Sequence, residues 1–182
     1  NKSIKDNFDE FEEVFSGLVS YAEDKGVKLI IENCPMEGWQ LPGQPGTISF
    51  TPELWREMFR RVPNKNFGLN YDPSHLRFQL IDYIAPIAEF KDRIFHVHAK
   101  DFHVKSGNEP SPGQGWLLSR GGNHLRGSIL GHGNVPILQV LKIMKNAKYS
   151  GVLSIEFEGM EDPLKAIPIG LENLKRYLAT VY

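Results

Sequence analysis

Four short apolar runs recur along the chain, at 27–33, 67–72, 93–101 and 151–158, and helix-like stretches lie between them. This alternation constrains the fold more than any other feature. Parallel strands cannot be joined by a tight turn, and the crossover each needs is usually a helix. Strand-like runs alternating with helical ones therefore predict βαβ units around a parallel sheet.

The helical stretches support the reading. Phe8, Phe11, Val14, Phe15, Leu18, Val19 and Ala22 recur at helical spacing over 7–25, and Gly26 is a natural stop. Thr51 is a suitable N-cap and Pro52 suits a first helical position, so a second helix runs from there to about Pro63. Further helices are expected at 80–91, 136–146 and 168–180. The glycine-rich stretch 102–134, with prolines at 110 and 112, reads as irregular. The total is about four parallel strands and five helices in one domain, 1–182.

Each apolar run ends in a side chain able to hold a metal: Glu32, Asp72, His98 and Glu156. Ligands in parallel α/β folds bind at the carboxyl ends of the strands. Carboxylates with one imidazole suit one divalent ion: Mn²⁺, Co²⁺, Mg²⁺ or Zn²⁺. Side chains two apart in a strand share a face, so Ile30, Asn70, His96 and Ser154 lie beneath these four. Three of them are polar, as a layer that orients metal ligands requires.

Composition narrows the partners. Lys plus Arg total 21 against 22 Asp plus Glu, a formal charge of -1, which lacks the basic excess of a polyanion binder. No apolar run approaches the roughly 20 residues of a membrane helix. The single cysteine, Cys34, excludes an internal disulfide and fits a reducing, cytoplasmic setting. Cys34 reads as a small filler near the mouth of the site, and Trp39 and Trp116, both in loops, as candidates to cover the face of a bound ligand.

Five segments together resemble the xylose isomerase-like TIM barrels, the sugar phosphate isomerase/epimerase superfamily. They are GVKLIIENCPM (26–36), FGLNYDPSHL (67–76), RIFHVHAKD (93–101), RGSILGHGNV (126–135) and YSGVLSIEFE (149–158). The resemblance implies a (β/α)8 barrel with one divalent metal on Glu32, Asp72, His98 and Glu156. It places His75, from Asp72-Pro73-Ser74-His75, near substrate hydroxyls, and Arg126 near substrate oxygens. Lys100 and Asp101, next to His98, are expected at the mouth of the site, Lys100 as a substrate contact.

The function this implies is isomerisation or epimerisation of a sugar, sugar phosphate or polyol through an enediolate. A metal would polarise the carbonyl. Glu32 and Glu156, from the first and last of the four strands, would act as base and acid on opposite faces of the carbon. The alternatives are a keto-polyol dehydratase using the same site and a barrel-derived module that binds without turnover. An apurinic endonuclease of this superfamily is disfavoured: Leu125-Arg126-Gly127 stands where an Asp-x-His pair would hold a further zinc.

A whole barrel of this kind needs about 250 residues. The length of 182 therefore predicts half of one, and the resemblance implies the C-terminal half, the last four βα units plus a leading helix, with which the non-Met start agrees. The open sheet edges would then be covered by a second copy.

Overall fold

A computed structural model describes residues 2–36, 46–105, 107, 113, 116–118 and 122–182. Trp39 falls outside the described residues.

The four apolar runs form β1 (Leu29–Glu32), β2 (Phe67–Tyr71), β3 (Ile94–Ala99) and, after three further strands, β7 (Val152–Ile155). They pair in parallel in the order β1-β2-β3-β7. Each strand thus lies beside the next parallel strand in sequence. A doubly wound sheet reverses its order at a switch point; this sheet winds one way, as the staves of a barrel do.

Local chemistry sets the helices. Helix α1 (Ile4–Asp24) opens on a reciprocal cap in which Ser3 Oγ accepts from the Asp6 N–H and the Asp6 carboxylate accepts from the Ser3 N–H. It ends before Gly26, whose φ of 67° is a left-handed turn that a side chain would strain. Helix α2 (Pro52–Arg61) starts on Thr51 and Pro52 as expected. Helices α5 (Ile137–Asn146) and α6 (Pro163–Val181) follow the two later segments.

The core lies between the sheet and these helices. Trp55, Met58, Phe67, Leu69 and Tyr71 are fully buried, with Val19, Phe8 and Phe11 of α1 packed against them. Trp55 meets Tyr71 and Phe90 edge-on, at ring separations of 6.2 and 5.3 Å. A second cluster joins Ala99, Leu130, Val135, Leu141 and Leu174 between α5, α6 and the β3–β7 end of the sheet.

Three boundaries differ from the expectation. In place of one helix at 80–91 there are two short ones, α3 (Pro73–Phe78) and α4 (Ala85–Glu89). Asp72 caps α3 by accepting from the Ser74 N–H, and Asp82 accepts from the Ile84 N–H to start α4. Leu80, at φ 60°, breaks the run between them. Helix α6 begins at Pro163 rather than near 168, because Asp162 and Pro163 form its cap and Pro168 is tolerated inside.

The largest correction concerns 102–134. β4 (Asp101–Lys105), β5 (Leu117–Leu118) and β6 (His124–Ser128) form an antiparallel sheet in the order β4-β6-β5. Phe102 faces Gly127 and His103 faces Arg126 in the β4–β6 register. The glycines that read as irregular permit this pairing: a Cβ on Gly127 would strike the Glu158 backbone. The tally becomes four parallel strands, three antiparallel strands and six helices among the described residues. None of the described helices is long and apolar enough to cross a membrane.

Candidate metal centre

The four strand-end side chains converge. Glu32, Asp72, His98 and Glu156 each offer a ligand atom, and these atoms lie within 4.8 Å of one another. Ligands facing each other across a divalent ion at about 2.2 Å would be about 4.4 Å apart, so the spread suits a single ion. His98 Nδ1 stands 2.9 Å from Glu32 Oε1 and 2.8 Å from Glu156 Oε2, so the two glutamates flank one imidazole nitrogen. Asp72 Oδ1 accepts the Ser74 N–H, while Oδ2 is buried without a hydrogen-bond partner. Lys100 Nζ at 3.4 Å and His75 Nε2 at 3.5 Å bring positive charge to it without a hydrogen bond, and an oxygen so placed among other ligand atoms has a lone pair to offer a metal ion.

The layer beneath is polar and paired, as alternation predicts. Asn70 Nδ2 lies 2.9 Å from His98 Nε2, and His96 Nε2 lies 2.7 Å from Ser154 Oγ. The first contact fixes the His98 ring so that Nδ1 faces the carboxylates.

His75 joins the cluster. Its side chain is buried, with Nε2 at 3.3 Å from Glu32 Oε1 and 3.5 Å from Asp72 Oδ2. Lys100 was expected at the mouth of the site; it is buried, 1% exposed. Its ammonium stands 2.9 Å from Glu156 Oε2, 3.4 Å from Asp72 Oδ2 and 3.2 Å from Glu158 Oε1.

Asp101 does not line the mouth. Its carboxylate is buried and accepts the N–H groups of Phe102, Gly131, Gly133 and Val135 at 2.8–3.0 Å. It ties the Gly131-His132-Gly133 turn to β4. Arg126 sits in β6, where Nη2 pairs with Glu161 at 2.8 Å and Nε is buried without a hydrogen-bond partner. It joins none of the ion pairs that knit the cluster.

Cys34 is half-buried and a free thiol. It also lies within ligand distance of Glu32 and His75, closer to the chemistry than its reading as filler suggested. Trp116 packs on β4, its ring 6.2 Å from that of His103.

The charges shape each group. His98 is raised to about 9, chiefly by hydrogen bonds to Glu156 and Glu32. Burial opposes the charge on His75, but Asp72, Cys34 and Glu32 outweigh it and raise the imidazole to about 10. Glu156 is held down at about 2, first by His98 and then by Lys100 against burial. Burial pushes Glu32 up, but His75 and His98 overcome it and hold this carboxyl well below the usual range. Without a cation the cluster is thus an ionised network of carboxylates balanced by imidazoliums and one ammonium.

Sequence reasoning missed three supports. Asn33, fully buried, spans β1 and β2: its Nδ2 donates to the Asp72 carbonyl at 2.8 Å, and its Oδ1 accepts the Asp72 N–H at 2.6 Å. Ser49 Oγ donates to the Glu32 carbonyl at 2.6 Å. Glu158 reaches Lys100. The signal for Asn33 was its place directly after Glu32; Ser49 carried none.

A singly wound parallel sheet with a carboxylate–imidazole cluster at its strand ends is a barrel-type arrangement with a candidate metal site. Residues 1–177 match the model of the xylose isomerase-like TIM barrel family, and the chain belongs to that family. It is 29% identical over 168 residues to an uncharacterized protein of Methanocaldococcus jannaschii, covering 91% of this chain and 47% of that protein. It is also 29% identical over 175 residues to an inosose dehydratase of Lactiplantibacillus plantarum, covering 93% and 53%. The chain therefore spans about half the length of these curated relatives. Among solved structures, a D-tagatose 3-epimerase-like protein superposes with TM-score 0.69 at 26% identity, over 96% of this chain and 55% of that one. The IOLI protein, solved with a bound zinc atom, gives TM-score 0.66 at 20% identity over 100% and 58%.

Proposed function

We propose that this chain carries the metal-and-proton-transfer site of a divalent-metal-dependent enzyme acting on the carbon beside a carbonyl in a sugar or polyol. One observation carries the reading: an Asp72 oxygen that makes no hydrogen bond lies among three other ligand-type side chains, with two glutamates flanking His98.

Glu32, Asp72, His98 and Glu156 would hold the ion, whose chemistry is to polarise the substrate carbonyl and lower the acidity barrier at the adjacent C–H. Which of Mn²⁺, Co²⁺, Mg²⁺ or Zn²⁺ it is follows from supply and affinity; the zinc of the IOLI protein supports the site's suitability for that ion. Glu156 and Glu32 are ionised well below neutrality, so either can accept a proton at pH 7. In an isomerase or epimerase, one removes the proton and the other returns one to carbon on the opposite face. His75 and the unpaired Arg126 Nε–H would orient substrate hydroxyls. Lys100 holds Glu156 in place and would reach a substrate oxygen from the same side.

A dehydratase is the second reading, favoured by the inosose dehydratase relative. Its first step is the same proton abstraction. The second group then protonates the departing hydroxyl instead of carbon. We place the protein in the cytoplasm, where Cys34 stays a thiol, and expect a second copy to cover the open sheet edges.

The chain loaded with Mn²⁺ and incubated with ketoses and keto-cyclitols in deuterium oxide tests the reading. Deuterium entering the carbon beside the carbonyl, or water loss from the polyol, is the expected result, and Glu156→Gln should remove it with the circular dichroism unchanged. Stoichiometric metal uptake with no exchange on any of these would leave a binding module in place of an enzyme.

A further inference from the structure

Parallel α/β proteins hold phosphate groups at this end of the sheet by two devices: the loops after the last strands and the free N–H groups of helix starts. Both are closed in this chain. The segment after β7, Glu156-Phe157-Glu158-Gly159-Met160-Glu161-Asp162, holds four acids and no base. Helices α2, α3 and α6, which follow β1, β2 and β7, begin with Pro52, Pro73 and Pro163, so each lacks an N–H that an anion would use. At α3 and α6 an aspartate occupies another: Asp72 accepts from Ser74 N–H and Asp162 from Leu164 N–H.

The two strong bases at this end are already engaged. Lys100 is buried among Asp72, Glu156 and Glu158. Arg126 faces Glu161. With a divalent ion in place, Lys100 and His75 both face the carboxylates of the ligand set, so both cations are already paired. Glu158, whose side chain is 48% exposed, places a carboxylate on the solvent side of Lys100. Among the described residues, the Arg126 Nε–H makes no hydrogen bond and suits one neutral hydroxyl or carbonyl oxygen.

We infer that this site takes an uncharged keto-polyol and rejects the phosphate esters and carboxylates of the same skeleton, the acidic 156–162 segment being the rejecting element. The inference rests on the metal-centre reading above and narrows its substrate class. Specificity here comes from repulsion built against the wrong ligand.

The test uses the full chain loaded with Mn²⁺ and isothermal titration of three matched pairs: D-fructose and D-fructose 6-phosphate, D-xylulose and D-xylulose 5-phosphate, dihydroxyacetone and its phosphate. The neutral member of at least one pair should bind about tenfold or more tighter than its phosphate. Glu158→Gln should shrink that ratio severalfold by strengthening the phosphate arm alone, while Mn²⁺ uptake stays unchanged. Tighter binding of the phosphate esters, binding of neither member in all three pairs, or a ratio unmoved by Glu158→Gln overturns the inference and leaves the metal reading standing. Failure to take up Mn²⁺ overturns both.

Discussion

Asp72 does two jobs with two oxygens. Oδ1 accepts the Ser74 N–H and starts α3, while Oδ2 makes no hydrogen bond and lies among Glu32, His98 and Glu156, with Lys100 Nζ 3.4 Å and His75 Nε2 3.5 Å away. A buried acceptor without a hydrogen bond costs about 1–3 kcal/mol, part of which these two cations offset, so a metal ion that binds it stabilises the fold further. The same geometry sets a pH dependence. A metal ligand imidazole must be unprotonated, and His98 holds its proton up to about 9 through Glu156 and Glu32. Binding therefore expels a proton from His98 below that pH. Mn²⁺ affinity should rise about tenfold per pH unit between 7 and 9 and then level off. Calorimetry in buffers of different ionisation enthalpy should count close to one proton released per ion at pH 7. A flat affinity across that range would remove His98 from the ligand set.

The metal-free protein should show the opposite trend in stability. His98 and His75 are raised to about 9 and 10, so their contribution is complete below the unfolded value near 6.5 and is lost as pH rises through 9–10. Glu156, held at about 2, contributes fully above about 4.5 and loses its share as pH falls toward 2. Thermal melts without metal should thus peak between about pH 4.5 and 6.5 and fall by pH 9.

At the scale of elements, Asp101 joins β4 to the turn ahead of α5. Two N–H groups point at each of its oxygens: Phe102 and Val135 at Oδ1, Gly131 and Gly133 at Oδ2. Asp101→Asn replaces one acceptor with a donor, which leaves two buried N–H groups facing an amide. The cost should be about 2–5 kcal/mol, read as a lowered urea midpoint with a similar m-value. A change below 0.5 kcal/mol would mean the turn is held by other contacts. Legibility in the sequence was uneven at this scale. Strands β1, β2, β3 and β7 and helices α1, α2 and α5 announce themselves through periodicity and caps. β4, β5 and β6 do not, because glycines at 107, 122 and 127 erase the alternating pattern while leaving the backbone free to pair. The short helices α3 and α4 were hidden because each is set by one capping aspartate rather than by an apolar stripe.

At the scale of the whole molecule, the parallel sheet ends, among the described residues, on two unpaired edges, β1 and β7. Each lies beside a helix with exposed apolar side chains: Val14, Leu18 and Tyr21 on α1, and Leu164, Ile167 and Leu171 on α6. Helix α1 carries seven acids and one lysine, and α6 three bases and one acid. A second copy related by a two-fold axis along the barrel would set the α1 of each beside the α6 of the other, with opposite charges facing. Sedimentation at micromolar concentration should find a dimer that weakens as salt rises. A monomer at all concentrations would exclude this arrangement.

The sequence by itself determined the parallel α/β class, the four ligand-type residues at strand ends and the polar layer beneath them, because strand period and crossover length are local properties. It could not determine that Lys100 is buried among three carboxylates, that Asn33 clamps β1 to β2 through the Asp72 backbone, or that Asp101 serves a turn rather than the site. Those roles depend on which atoms lie within hydrogen-bond reach across strands up to about 60 residues apart in the chain. Only the register of the folded sheet decides that distance.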